Sequence, residues 1–157
     1  MTTKINSEER VQKAVELYNN GYSCSQSVVL AFTDIFNINE EVAMNFSAGF
    51  GSGIGGLREV CGAASGMFML LGWMYPYGLG EIAKRKECYT HIKECANKFK
   101  ERMGGSYLCG EILKTKVEDR KPVPTDEIIN KYAQKSCQRS VANAALIICE
   151  EINGKEE

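Results

Sequence analysis

Cys61-Gly62-Ala63-Ala64-Ser65-Gly66-Met67-Phe68-Met69-Leu70-Leu71-Gly72-Trp73-Met74-Tyr75 sits inside a run without a single charge, Val60 to Gly80. A run of that length admits two readings, since about 20 apolar residues span a bilayer as a helix. Gly62, Gly66, Gly72, Pro76, Gly78 and Gly80 crowd it, and Pro76 should end any helix early. The flanks carry no Lys/Arg asymmetry that would orient a span. The segment therefore reads as a buried central helix from about Leu57 to Tyr75, the most buried of the chain, with Met67, Met69, Trp73 and Met74 as core. A glycine inside a helix costs roughly 1 kcal/mol relative to alanine. Gly62, Ala63 and Gly66 on its surface thus imply that another helix or a bound group packs very close.

Upstream lies a glycine-rich loop, residues 48–56, with Gly51, Gly53 and Gly56 spaced as in a dinucleotide fingerprint. That fingerprint needs a preceding strand and a βαβ unit, and neither is visible. The loop's backbone N–H groups can still approach a cofactor or anion closely. Gly51, Gly53, Gly56 and Gly62 are the candidate cofactor contacts; the plainer reading is a tight connection between packed helices.

Other helices flank this centre. Ser7 is placed to cap a first helix with Val11, Ala14, Val15 and Tyr18 on one face, ended by Gly21. Ser23-Cys24-Ser25-Gln26 fits a capping box, so Cys24 opens a second helix to about Phe36. Asn39 caps a short helix, Glu40 to Phe46. Glu81 to Met103 forms a long charged helix with Ile82, Cys88, Ile92, Cys95 and Phe99 inward, stopped by Gly104-Gly105. Ser106 starts a short helix containing Cys109, Val117 to Pro124 is a connector, and Thr125 caps a last helix to about Ile152. Nothing alternates with period two for long enough to form a strand. The expected fold class is all-α, a compact multi-helix bundle in one domain over residues 1–157.

A net charge of −1 with no basic stripe gives no reason to expect nucleic acid or an anionic membrane surface as partner. Met1 to Arg10 is polar and carries no apolar signal segment, which points to a cytoplasmic protein. Seven cysteines in 157 residues is the outlying number, and an odd count cannot pair completely within the chain. In a reducing compartment, clustered cysteines serve as metal ligands or reactive thiols more often than as bridges.

Helix N-termini favour thiolate over thiol and can lower a cysteine pKa below its usual ~8.5. Cys24 and Cys109 fall in first turns, and Cys61 follows the glycine loop. Cys137 joins them through an internal similarity: Ser136 to Ala144 matches Ser23 to Ala31 at five of nine positions. If the match is meaningful, the last helix breaks near Ser136 and Cys137 also opens a helical segment. The four thiols lie 37, 48 and 28 residues apart, so only folding can gather them. They suit a soft metal or disulfide exchange. Cys88, His91 and Cys95 form a rival set on one helical face, able to hold zinc with an open fourth position; the plainer reading is buried small hydrophobes and a surface histidine. Cys149 follows Ile147 and Ile148 and reads as core. No CxxCH is present, so no covalent haem is expected.

With these residues in view, the chain resembles a prokaryotic redox-active protein family named for a C-GCAxxG-C-C cysteine pattern. Cys61-Gly62-Ala63-Ala64-Ser65-Gly66 matches the family's central element, Cys24 the upstream cysteine, and Cys109 and Cys137 the two downstream ones, across about Glu8 to Ile152. The resemblance implies redox activity with an iron–sulfur cluster held by Cys24, Cys61, Cys109 and Cys137, for electron transfer or redox sensing. Split-Soret cytochromes look similar in their non-haem part, but this chain lacks their haem motif. Cys88, Cys95 and Cys149 depart from the four-cysteine pattern and leave the ligand set open. Two alternatives stand beside the cluster: a thiol–disulfide oxidoreductase using the same cysteines, and a helical binding protein with a structural zinc or no metal. A redox partner protein is implied under the first, and a homodimer is compatible with any of them.

Overall fold

Asn6 and Ser23 fix where the first two helices begin. A computed structural model describes residues 4–155; residues 1–3 and 156–157, within the polar N-terminus and the expected 1–157 domain, lie outside the described residues. Helix α1 is Ser7–Asn19, and its cap is Asn6, whose side chain accepts from Glu9 N at 3.0 Å. The expected cap, Ser7, is instead the first helical residue. Val11, Ala14 and Val15 form the buried face, as their spacing required. Helix α2, Cys24–Leu30, carries the expected capping box: Gln26 N donates to Ser23 Oγ at 3.3 Å and Ser23 N donates to Gln26 Oε1 at 3.1 Å. The single helix expected to Phe36 is broken at Ala31–Phe32, and α3 is Thr33–Phe36, closed by Asn37 in the left-handed region. Asn39 caps α4, Glu40–Ser47.

The glycine loop follows as a 3-10 turn, Ala48–Phe50, and a one-turn segment α5, Gly51–Ile54. Ser52, Ile54 and Arg58 all have positive φ, 55°, 67° and 62°. A left-handed β-branched isoleucine is a genuine outlier, and such strain gathers at functional sites. Because Arg58 is left-handed, the central helix cannot start at Leu57 as expected. Val60 instead pairs antiparallel with Leu108 in an isolated bridge. Helix α6, Gly62–Met74, starts only after it and stops before Pro76. The same pairing delays α8, which is Cys109–Lys114 and not a helix from Ser106. Between them runs α7, Ile82–Arg102. The last helix divides, as the internal similarity indicated, into α9, Asp126–Tyr132, and α10, Ser136–Gly154.

The most buried helix is α10, not α6. Every residue from Arg139 to Cys149 is buried, and α10 packs on α1, α2, α6, α7 and α9. Ala142, Ala144 and Ala145 let those neighbours close on it. Helix α6 buries Gly62 to Met67, Leu70 and Leu71, but Trp73 is 53% exposed and Met69 and Met74 are only partly buried. Trp73 lines an open apolar groove with Phe46 and Phe50, which is why the expectation of a core tryptophan fails. Ile82 also faces solvent, because α7 begins beyond the reach of the core. Met67 is fully buried, as expected. The fold is all-α, a single domain about one hydrophobic core. Among the described residues no helix is long and apolar enough to cross a membrane.

Candidate functional site

Each of the four pattern cysteines stands at the start of a helix. Cys24 is the first residue of α2, Cys61 the N-cap residue of α6, Cys109 the first residue of α8, and Cys137 the second residue of α10. The four line one pocket of about 240 Å³, together with Tyr18, Ser52, Arg58, Gly62 and Ser140. The bridge aligns two of them: Cys61 N donates to Tyr107 O, and Cys109 N to Glu59 O, both at 2.7 Å. Gly62 lets α2 approach, since a Cβ there would stand 2.4 Å from Cys24 Sγ and 2.7 Å from Phe50 O. Gly53, at φ +71°, does the same for α8, since its Cβ would stand 2.7 Å from Cys109 Cβ. Of the four glycines expected as cofactor contacts, Gly62 lines the pocket, while Gly51, Gly53 and Gly56 stand in the loop beside it.

Among the described residues, Arg58 is the one charged side chain on the pocket wall, and its Nη1 lies 3.7 Å from Cys109 Sγ. Burial pushes the Cys61 thiol up to about 12, although the N–H groups of Ala64 and Ala63 and the Ser140 hydroxyl favour its thiolate. Burial also raises Cys137, against the opposing influence of the Tyr18 hydroxyl and Arg58. At these two positions the helix N-terminus, expected to favour thiolate, is outweighed by desolvation. Tyr18 is raised to about 12 by its own burial and then by Cys137. All seven cysteines are free thiols.

The separation of the thiols bears on what they could hold. Four sulfurs around a single zinc at ~2.3 Å would lie about 3.8 Å apart. Among the described residues, no three of these thiols come within 4.8 Å of one another. A cluster attaches its thiolates to different irons and holds them farther apart than one ion does. Among the described residues the wall offers four soft donors, one cation and no carboxylate, a donor set that an iron–sulfur cluster could use.

The rival set does not assemble. Cys88 and Cys95 are buried, and Cys95 Sγ donates to Glu151 Oε1 at 3.2 Å. His91 stacks on Tyr75 at 3.7 Å and is grouped with Glu94 and Glu151, not with cysteines. Cys149 is fully buried in the core, as its neighbours implied. Sequence reasoning missed Arg58 and Ser140, and it placed Tyr18 on an inner helical face without assigning it to the site. Arg58 was signalled only by being the first charge after the glycine loop.

No curated protein and no solved structure matches the chain. Residues 22–152 match the family described as "Putative redox-active protein (C_GCAxxG_C_C)". That span holds all four pocket cysteines and covers most of the 157 residues, and the chain belongs to this family.

Proposed function

We propose that Cys24, Cys61, Cys109 and Cys137 hold an iron–sulfur cluster and that the protein carries or senses electrons through it. The observation that carries this reading is the meeting, in one pocket, of four thiols brought by four separate helix starts. Four thiolates are the usual complement of such clusters, and the group would supply one-electron chemistry. The chain's own residues prepare for it. N–H groups at the first turn of α6 face Cys61, and Arg58 offsets negative charge beside Cys109. Assembly must strip protons from Cys61 and Cys137, so loading releases acid. The raised Cys61 and Cys137 make poor attacking thiols and weigh against disulfide exchange at those two positions. Among the described residues no three of these thiols lie within 4.8 Å of one another, which weighs against a single structural zinc. A redox partner protein and a cytoplasmic location belong to the same proposal.

The test is anaerobic purification followed by iron and acid-labile sulfide analysis, with visible absorption and electron paramagnetic resonance. Iron and sulfide in matching amounts, lost in the single Cys24→Ser and Cys137→Ser variants, is the expected result. A colourless protein without iron after reconstitution overturns the reading, as does iron retained in every single variant.

A further inference from the structure

A second cluster of donor groups lies at the other end of α10. Glu151 is fourteen residues beyond Cys137, about 21 Å along the helix at 1.5 Å per residue. There one ligand atom each from His91, Glu94 and Glu151 lies within 4.8 Å of the others. We propose that these three residues bind a divalent transition cation of the zinc class, separate from the thiol pocket.

Three observations carry this. The Nδ1 of His91 is buried and makes no hydrogen bond, while lying 3.4 Å from Glu151 Oε2. Ligands about 2.0–2.2 Å from one tetrahedral zinc stand roughly 3.3–3.6 Å apart, so that separation suits a shared ion as well as a direct ion pair. The Glu151 carboxylate is already oriented: Tyr75 Oη donates to Oε2 at 2.8 Å, and Cys95 Sγ donates to Oε1 at 3.2 Å. Outer hydrogen bonds of this kind fix a ligating carboxylate. Finally, the carboxylates of Glu94 and Glu151 approach within 4.8 Å beside a single imidazole. Two carboxylates this close repel each other, and a cation held between them is one arrangement that relieves the repulsion.

Exposed acids meet by chance, but here only Glu94 is exposed; His91 and Glu151 have 26% and 11% of their side-chain surface in solvent. The donor set is one nitrogen and two oxygens, harder than the thiol pocket, and it leaves a fourth position for water. The site would pin α7 to α10. Glu94 lies on α7 and Glu151 on α10, so an ion between them adds a cross-link that the apolar contacts lack.

His91 is the only histidine, so its imidazole resonances are assigned without ambiguity. Zinc is titrated into the protein while those resonances are followed by 1H–15N correlation spectroscopy. The expected result is a shift of Nδ1 at a zinc equivalent that Glu94→Gln weakens about tenfold or more. Tyr75→Phe, which keeps the stacked ring and removes only the hydroxyl, should weaken it about 10–100-fold. Zinc should also raise the melting temperature of the wild type more than that of Glu94→Gln. An imidazole unmoved at saturating zinc overturns the proposal. So does Glu94→Gln binding zinc as tightly as the wild type, and because Glu94 is exposed, that variant has no core to disturb.

Discussion

Gly62 is where one missing methyl group determines the geometry of the pocket. Inside a helix, Gly→Ala ordinarily stabilises by up to about 1 kcal/mol. Here the added Cβ would meet Cys24 Sγ at 2.4 Å and the backbone oxygen of Phe50 at 2.7 Å. The sulfur can rotate away, but the backbone cannot move without shifting the glycine loop. The clash decides the sign: Gly62→Ala should cost about 1–3 kcal/mol in urea unfolding, and it should displace Cys24 from the pocket, which under the proposed cluster lowers the iron content. A neutral or stabilised variant would show that α2 and α6 are less closely apposed than this. The need for a small residue at 62 was legible in the sequence, because a glycine there has to be explained. Its partner was not. Nothing in the spacing of residues 24 and 62 says that this thiol, of seven, lies over this glycine.

The helices are joined by polar contacts that no hydrophobic periodicity reveals. Arg139, at the buried start of α10, donates to Asp126 Oδ1 at 2.9 Å, and Arg120 donates to the same oxygen at 3.0 Å. This clamps α9 and the preceding connector onto α10. Breaking a buried ion pair by removing one partner typically costs about 3–5 kcal/mol, because a charge is left uncompensated. Asp126→Ala, which strands two guanidinium groups, should fall in that range by urea denaturation and loosen α9 in hydrogen exchange. A loss below about 1 kcal/mol would mean that water already solvates both arginines. Helices α1, α4 and α7 were legible almost to the residue, because caps and apolar stripes are local signals. The ranking of α6 above α10 was not. Helix α6 is the more apolar in letters, yet Trp73 is left in an open groove, whereas α10 buries Arg139 and Asn143 among alanines. Burial depends on what surrounds a helix, and the sequence of the helix alone does not contain it.

Across the whole molecule, the buried thiols make stability depend on pH. Burial pushes Cys61, Cys95 and Cys149 each up to about 12 from an ordinary value of 9.0. Below pH 9 both folded and unfolded chains keep these protons, so the folded state bears no penalty. Above 9 the unfolded chain releases them while the folded chain holds them until about 12. Folding at pH 10 must therefore recover protons, and stability falls as pH rises through that window, by on the order of 1 kcal/mol per pH unit for each thiol. Cys61 and Cys149 differ in what loading a metal does to them. Cys61 lies in the thiol pocket, and a bound cluster would hold it deprotonated in the folded state, removing its share of the alkaline loss. Cys149 sits in the core and keeps its proton either way. Urea midpoints measured from pH 8 to 11 should thus fall steeply for the metal-free protein and less steeply after cluster reconstitution. Cys61→Ala should flatten the metal-free profile in the same sense, and Cys149→Ala should flatten both profiles. Identical slopes with and without iron would place Cys61 outside the ligand set.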